Sequence, residues 1–161
     1  MENKIIHRPS IKLIGQAISV TLDEVITEKK PQLLASEFKG RISKITTNIN
    51  KLEVLGVSTD PENYNQETDK FEYFIGVEVS SFNDVPEGMV TKTLPENDYI
   101  VFTHRGLAEN IGKVHDYLYT IWLEKNEYVL NDRYNIEVYG DLHKGADSEE
   151  SEIEIYFPIK K

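Results

Sequence analysis

This 161-residue sequence predicts a mixed α+β fold made of two copies of a strand, helix, strand, strand unit. Three observations carry that expectation. Apolar residues recur at steps of three and four in two stretches and at steps of two elsewhere, so helices and strands share one chain. The order of elements in the first half returns in the second. The composition, 39% apolar with 10% aromatic, can fill a packed interior and is too apolar for a disordered chain. At this length one domain is expected over 1–161, with repeats of roughly 1–82 and 88–161.

The elements follow in order. A strand is expected over about 11–21. Leu34, Phe38, Ile42, Ile45 and Ile49 then keep helical spacing, with Pro31 acceptable in a first turn, so a helix is expected over about 31–49. Strands follow at about 52–58 and 71–80, with Asp60-Pro61-Glu62-Asn63 as turn chemistry between them. The second half gives strands at about 88–94 and 98–104, separated by Pro95-Glu96-Asn97-Asp98. Behind Gly106, the residues Leu107, Ile111, Val114, Leu118 and Ile121 predict a helix to about 125, with Trp122 beside its apolar stripe. Strands at about 133–139 and 152–159 complete the chain, and the polar segments 60–70 and 141–151 are loops inside the repeats. Leu52-Glu53-Val54-Leu55-Gly56 lines up with Ile136-Glu137-Val138-Tyr139-Gly140, and Phe71–Val79 shares its alternation with Ser151–Ile159. One helix and about three strands cannot bury both surfaces of a sheet, so the halves are expected to pair about a pseudo-twofold axis and leave a central cleft where they meet.

Charge and composition narrow the function. Eighteen basic against 28 acidic residues leave a net charge of −10, which opposes binding to a phosphate backbone. The absence of cysteine removes disulfides, thiolate nucleophiles and Cys-ligated metals. No secretory signal or membrane-spanning apolar run is present, so a cytoplasmic, soluble protein with no membrane partner is expected. His7, His104, His115 and His143 stand apart without a ligand-pair spacing, so no metal is expected. Gly106 to Lys113 has one residue too many for a phosphate loop, and neither a nucleophile elbow nor a dinucleotide fingerprint occurs, so no cofactor is expected. Asp147-Ser-Glu-Glu-Ser-Glu152 lacks the spacing and glycine of a calcium loop and reads as a solvated turn.

Alternation in the last two strands places Ile136 and Val138, with Ile153, Ile155, Phe157 and Ile159, on faces that cover the helices. The other faces then carry Asn135, Glu137 and Tyr139, with Glu152, Glu154 and Tyr156. An open face of this kind is an ordinary solvated surface. A concave one would hold a carboxylate among tyrosine rings, where an organic cation supplies the missing charge and cation–π contacts add about 0.5–2 kcal/mol. Tyr117, Tyr119 and Trp122 fit helix packing and a ligand wall alike. Whether Glu137 and Glu154 could form a glycosidase-like pair depends on their separation.

Tyr99 to Gly106, Tyr117 to Trp122, Tyr134 to Tyr139 and the closing Ser151-Glu-Ile-Glu-Ile-Tyr-Phe-Pro-Ile-Lys160 resemble the GyrI-like effector-binding family, which includes the C-terminal ligand domains of bacterial multidrug-sensing transcription activators. The resemblance spans nearly the whole chain, and the closing segment with its spacing from the Glu137 strand is its most specific part. It implies a βαββ duplication with an antiparallel sheet, two main helices and a central pocket for lipophilic, often cationic, small molecules. It further implies that Glu137 meets the cation; strand phase, rather than the resemblance, adds Tyr139 and Tyr156, and position on the helix adds Trp122 and Tyr117. The 161 residues leave no room for an added helix-turn-helix module, so direct nucleic-acid binding is not expected. Three functions stay open at this point: an effector-binding protein acting with a separate transcription regulator, a hydrolase of electrophilic compounds using the same Glu137, and an inhibitor of an enzyme by protein contact.

Overall fold

The computed structural model describes residues 1–140, 143–145 and 148–161. The strands are β1 (Asn3–Arg8), β2 (Ile11–Thr21), β3 (Val54–Thr59), β4 (Lys70–Glu78), β5 (Val90–Leu94), β6 (Asn97–Arg105), β7 (Val129–Leu130), β8 (Tyr134–Tyr139) and β9 (Glu152–Lys160). The helices are α1 (Leu22–Thr27), α2 (Lys30–Lys39), α3 (Gly112–Tyr117) and α4 (Leu123–Asn126), and a π-helical turn over Leu118–Trp122 joins α3 to α4. All strand pairs are antiparallel, in the order β1-β6-β9-β8-β3-β4-β2-β5, with β7 on β9. The expected α+β duplication is therefore present. No helix among the described residues is long and apolar enough to cross a membrane.

The strand order reads the same from either end once the halves are exchanged, and β1 and β5 each lie on the other half's edge. β1 belongs to the first half of the chain but extends the second half's β6, and β5 extends β2 in return. Each is tied to its sequence neighbour by only two residues, Pro9-Ser10 and Pro95-Glu96. In a flat sheet β1 and β2 would stand six strand spacings apart, about 29 Å. A two-residue link reaches only about 11 Å. The sheet therefore curls until its ends adjoin, and Arg8 on β1 reaches Glu78 on β4 with paired hydrogen bonds of 3.1 and 3.2 Å.

Curling produces three packed regions. Inside the curl, both halves contribute Leu13, Leu55, Val57, Phe74, Val101, Ile136, Val138 and Tyr156 to one core that no helix needs to cover. On the outer face α2 covers a second core around Phe38, Tyr73 and Ile75. There too the α3–α4 helix covers a third, around Phe102, Trp122 and Phe157. The inner core buries polar atoms as a connected set: Asn131 donates to Asn97 Oδ1 (2.6 Å), Asn97 to the Tyr134 hydroxyl (2.8 Å), and Tyr99 and Tyr134 share a hydrogen bond of 2.7 Å.

Both edge ladders begin beside their proline links, at Ile11 paired with Leu94 and at Asn97 paired with Arg8. The operation that exchanges these ladders passes through the centre of the sheet at Gly56, which pairs directly with Glu137. Gly56 is thus the symmetry mate of Glu137, three positions away from the sequence alignment that set Glu53 against it.

Several boundaries differ from expectation. The first helix stops at Lys39, capped at Gly40, and Ile42 falls in a 3₁₀ turn; Ile45 stays buried, whereas Ile49 is 56% exposed. The spacing of Ile42 and Ile45 therefore reflects packing of a 3₁₀ turn on the core under α2 rather than a continued helix. Sequence reading missed α1, although Thr21 and Glu24 form a capping box there. It also missed β1, an edge strand with no clean alternation. The acidic run Asp147 to Glu152 lies partly outside the described residues.

Gly15 faces Gly76 across the β2–β4 ladder, and a Cβ at Gly15 would stand 1.9 Å from the Ile75 carbonyl oxygen. That neighbour is backbone and cannot swing aside. Gly15→Ala is expected to destabilise the protein by about 3 kcal/mol or more in urea unfolding. Gly112→Ala, at a position with nothing within 4 Å of the added carbon, is expected to be neutral or stabilising by about 0.5 kcal/mol.

Candidate functional site

β8 reads Tyr134-Asn-Ile-Glu-Val-Tyr139, and its even-numbered side chains fill the core inside the curl. Period two then turns Asn135, Glu137 and Tyr139 to the outer face, into the seam between the two helix-covered regions. Directly paired residues share a face, so Gly56 and Ser58 of β3 line the same seam opposite Glu137 and Asn135. The Glu137 carboxylate therefore sits on the pseudo-twofold axis, beside a residue with no side chain.

The missing side chain at Gly56 is occupied space. A Cβ there would lie 2.9 Å from the Tyr73 hydroxyl and 3.3 Å from the Tyr139 ring, so these two rings converge over the glycine from opposite halves. Tyr73 belongs to the core under α2, and Tyr139 packs against the core under α3. The Tyr139 hydroxyl donates a close hydrogen bond to Glu137. Beyond Tyr139, the His143 ring stands edge-on at 4.9 Å, and His143 Nδ1 is 3.3 Å from Ser151 Oγ.

Glu137 and Tyr139 retain partial solvent access. Protein nevertheless encloses the carboxyl enough that desolvation pushes its pKa above the ordinary glutamate value, against the Tyr139 hydrogen bond and the charge of His104, which pull it down. Desolvation and the Glu137 charge together hold the Tyr139 hydroxyl well above its ordinary value. Tyr73 is raised as well, first by burial and then by Glu137. The carboxylate thus lies between the two helix-covered regions, partly enclosed by protein, with no ion pair among the described residues.

The seam widens at its other end into a cavity of about 300 Å³, lined by Asp60, Tyr64, Tyr119, Asn135 and Phe157 among others. A second hollow, of about 370 Å³ near Glu2, Thr103 and Glu154, is edged by the Arg105–Glu2, Arg105–Glu152 and Lys4–Glu154 ion pairs.

The structure joins some sequence-predicted residues and separates others. Glu137 and Tyr139 are together. Tyr156 is not with them, because Glu137 pairs with Ile155 while Tyr156 pairs with Ile136, which puts the Tyr156 ring inside the curl at 5.7 Å from Tyr99. The expected grouping of Glu137 with Glu152, Glu154 and Tyr156 is therefore corrected: Glu154 pairs with Val138 and faces away from Glu137, so the two acids cannot flank one substrate bond. Trp122 is 5% exposed and stacks edge-on against Phe102 (6.2 Å), as Tyr117 does at 5.9 Å; both form the wall behind Tyr139. Gly56 and Tyr73 were missed. Their signal lay in the register between halves, which alternation within one strand does not carry.

The sequence matches the family described as "Cass2: Integron-associated effector binding protein" over residues 4–159. It is 32% identical over 94 residues to the transcriptional regulator BrlR of Pseudomonas aeruginosa, a match covering 58% of this chain and 35% of BrlR; the chain thus spans about a third of that relative's length. Its fold is similar to that of SAV2435, solved bound to tetraphenylphosphonium (TM-score 0.74, 19% identity, 99% of this chain and 94% of that one). It is also similar to the C-terminal domain of EcmrR (TM-score 0.71, 18% identity, 99% and 98% coverage). These two structural likenesses speak for the fold, and the family match over nearly the whole chain speaks for descent. The chain belongs to the Cass2 family of effector-binding proteins, within the GyrI-like group that its closing segment resembles.

Proposed function

We propose that this protein binds lipophilic organic cations in the seam between its two helix-covered regions, with Glu137 as the charge partner. One observation carries the reading: a carboxylate beside tyrosine rings in the seam, partly stripped of water and without an ion pair among the described residues. A cation entering the seam restores the electrostatic balance that desolvation removed. Tyr139 holds the carboxylate by its hydrogen bond and offers ring surface, which adds about 0.5–2 kcal/mol of cation–π attraction. The relative of similar fold that was solved with tetraphenylphosphonium supports the same ligand class, a large apolar body around a delocalised positive charge.

Calorimetric titration with tetraphenylphosphonium tests this. Saturable binding is expected, and Glu137→Gln should weaken it by about 10- to 100-fold. Equal affinity in the variant removes Glu137 from the reading. Turnover of an electrophilic compound that is lost in Glu137→Gln would instead assign the site to hydrolysis. Affinity should also depend on pH. Because the carboxyl pKa is raised, binding should be full above that value and fall as pH drops through it, at a higher pH than an ordinary glutamate would produce. The Gln variant should show a flat profile.

The same shift predicts the stability of the ligand-free protein. A raised carboxyl pKa means that the folded state holds the proton more tightly than the unfolded state does. Its stabilising contribution is full below the unfolded pKa and is lost as pH rises through the folded one. Glu137→Gln should therefore raise Tm by a few degrees at pH 8 and by almost nothing at pH 4. A variant that is less stable than wild type at pH 8 would contradict this.

A further inference from the structure

The seam does not end at Glu137. On β8 the outward residues are Glu137 and Asn135, with Arg133 just before the strand, and on the paired strand Gly56 and Ser58 face Glu137 and Asn135. The Asp60 amide donates to the Arg133 carbonyl at 2.9 Å, which carries the ladder one pair further and turns Asp60 to the same side. Asp60 lines the 300 Å³ cavity with Tyr64, Tyr119 and Phe157, an acid among three aromatic rings. Its carboxylate makes no side-chain hydrogen bond or ion pair among the described residues. Burial raises its pKa, and the Tyr119 and Tyr64 hydroxyls that line the same cavity are raised first by burial and then by the Asp60 charge. Asp132 and Arg133 also line this space, so two carboxylates face one guanidinium and the local balance stays negative.

Resting on the reading of Glu137 as a cation partner, we propose that the Asp60 cavity is a second cation subsite, so that the seam takes elongated organic dications with one charge at Glu137 and the other at Asp60. Four residues of strand separate the two levels, about 13 Å. A dication therefore needs a spacer of comparable length, and a shorter one gains nothing from its second charge.

The test titrates wild type with bis-trimethylammonium alkanes of increasing chain length, each matched to an alkyltrimethylammonium monocation. Beyond a threshold length, the dication is expected to bind about tenfold more tightly than its monocation, a gain of the size of one partly exposed ion–aromatic contact. Asp60→Asn should abolish that gain and leave monocation affinity unchanged, which also reports that the variant is folded. Glu137→Gln should weaken both classes. Dications that bind no better than monocations, or a gain that survives Asp60→Asn, overturn the subsite while Glu137-dependent monocation binding keeps the primary reading. If wild type binds neither class, both fall.

Discussion

Two short links shape the whole molecule. Pro9-Ser10 and Pro95-Glu96 each join strands that lie at opposite ends of the sheet order, and that mismatch forces the sheet to curl. Curling decides what is buried where. The inward face closes on itself and becomes a core made by both halves, while the outward face receives one helical cover from each half. A seam is left along the β3–β8 pair, at the symmetry axis, where neither cover reaches. The site is thus a product of topology before it is a product of any single residue.

Duplication supplies the frame, and broken symmetry supplies the chemistry. If both halves carried a glutamate at the axis, two carboxylates would meet across one strand pair and repel, with at least one protonated at neutral pH. Glycine at position 56 removes that conflict and opens the room that Tyr73 and Tyr139 occupy. One acid then stands between two hydroxyl-bearing rings, each supported by the packing of a different half. The rings are anchored on rigid strands, so the carboxylate is held in place without a salt bridge. Such a bridge would quench it.

Much of this was legible in the sequence, and the failures have physical causes. Strands β2, β3, β4, β5, β6, β8 and β9 and both main helices announced themselves by periodicity. The separation of Glu137 and Tyr139 from the apolar Ile136 and Val138 was legible too, but the expectation that Ile136 and Val138 cover the helices is corrected: they fill the core inside the curl, and Glu137 and Tyr139 turn to the helix-covered side. Alternation, however, says only which residues of one strand share a face. It does not say which face of the next strand joins them. That requires register, and here the register sets Ile155 rather than Tyr156 beside Glu137. β9 gave little warning, because it is buried on both sides from Ile155 to Ile159. Asp60 looked like turn chemistry before Pro61, and its place in the cavity comes from one extra rung of pairing that no local pattern encodes.

Under the proposed function, the seam would select ligands by sign because of when desolvation occurs. An exposed carboxylate must shed its water as each ligand arrives, and that cost offsets most of the attraction. Glu137 has already given up much of its hydration on folding, which is why its pKa is raised. An entering cation meets a preorganised charge and needs little further rearrangement of the protein. A neutral compound of the same shape gains the aromatic contacts but leaves the carboxylate unpaired and further dehydrated, and an anion adds repulsion to both losses. In that reading, charge at the axis would discriminate by class, whereas the tyrosine rings would admit many shapes within that class.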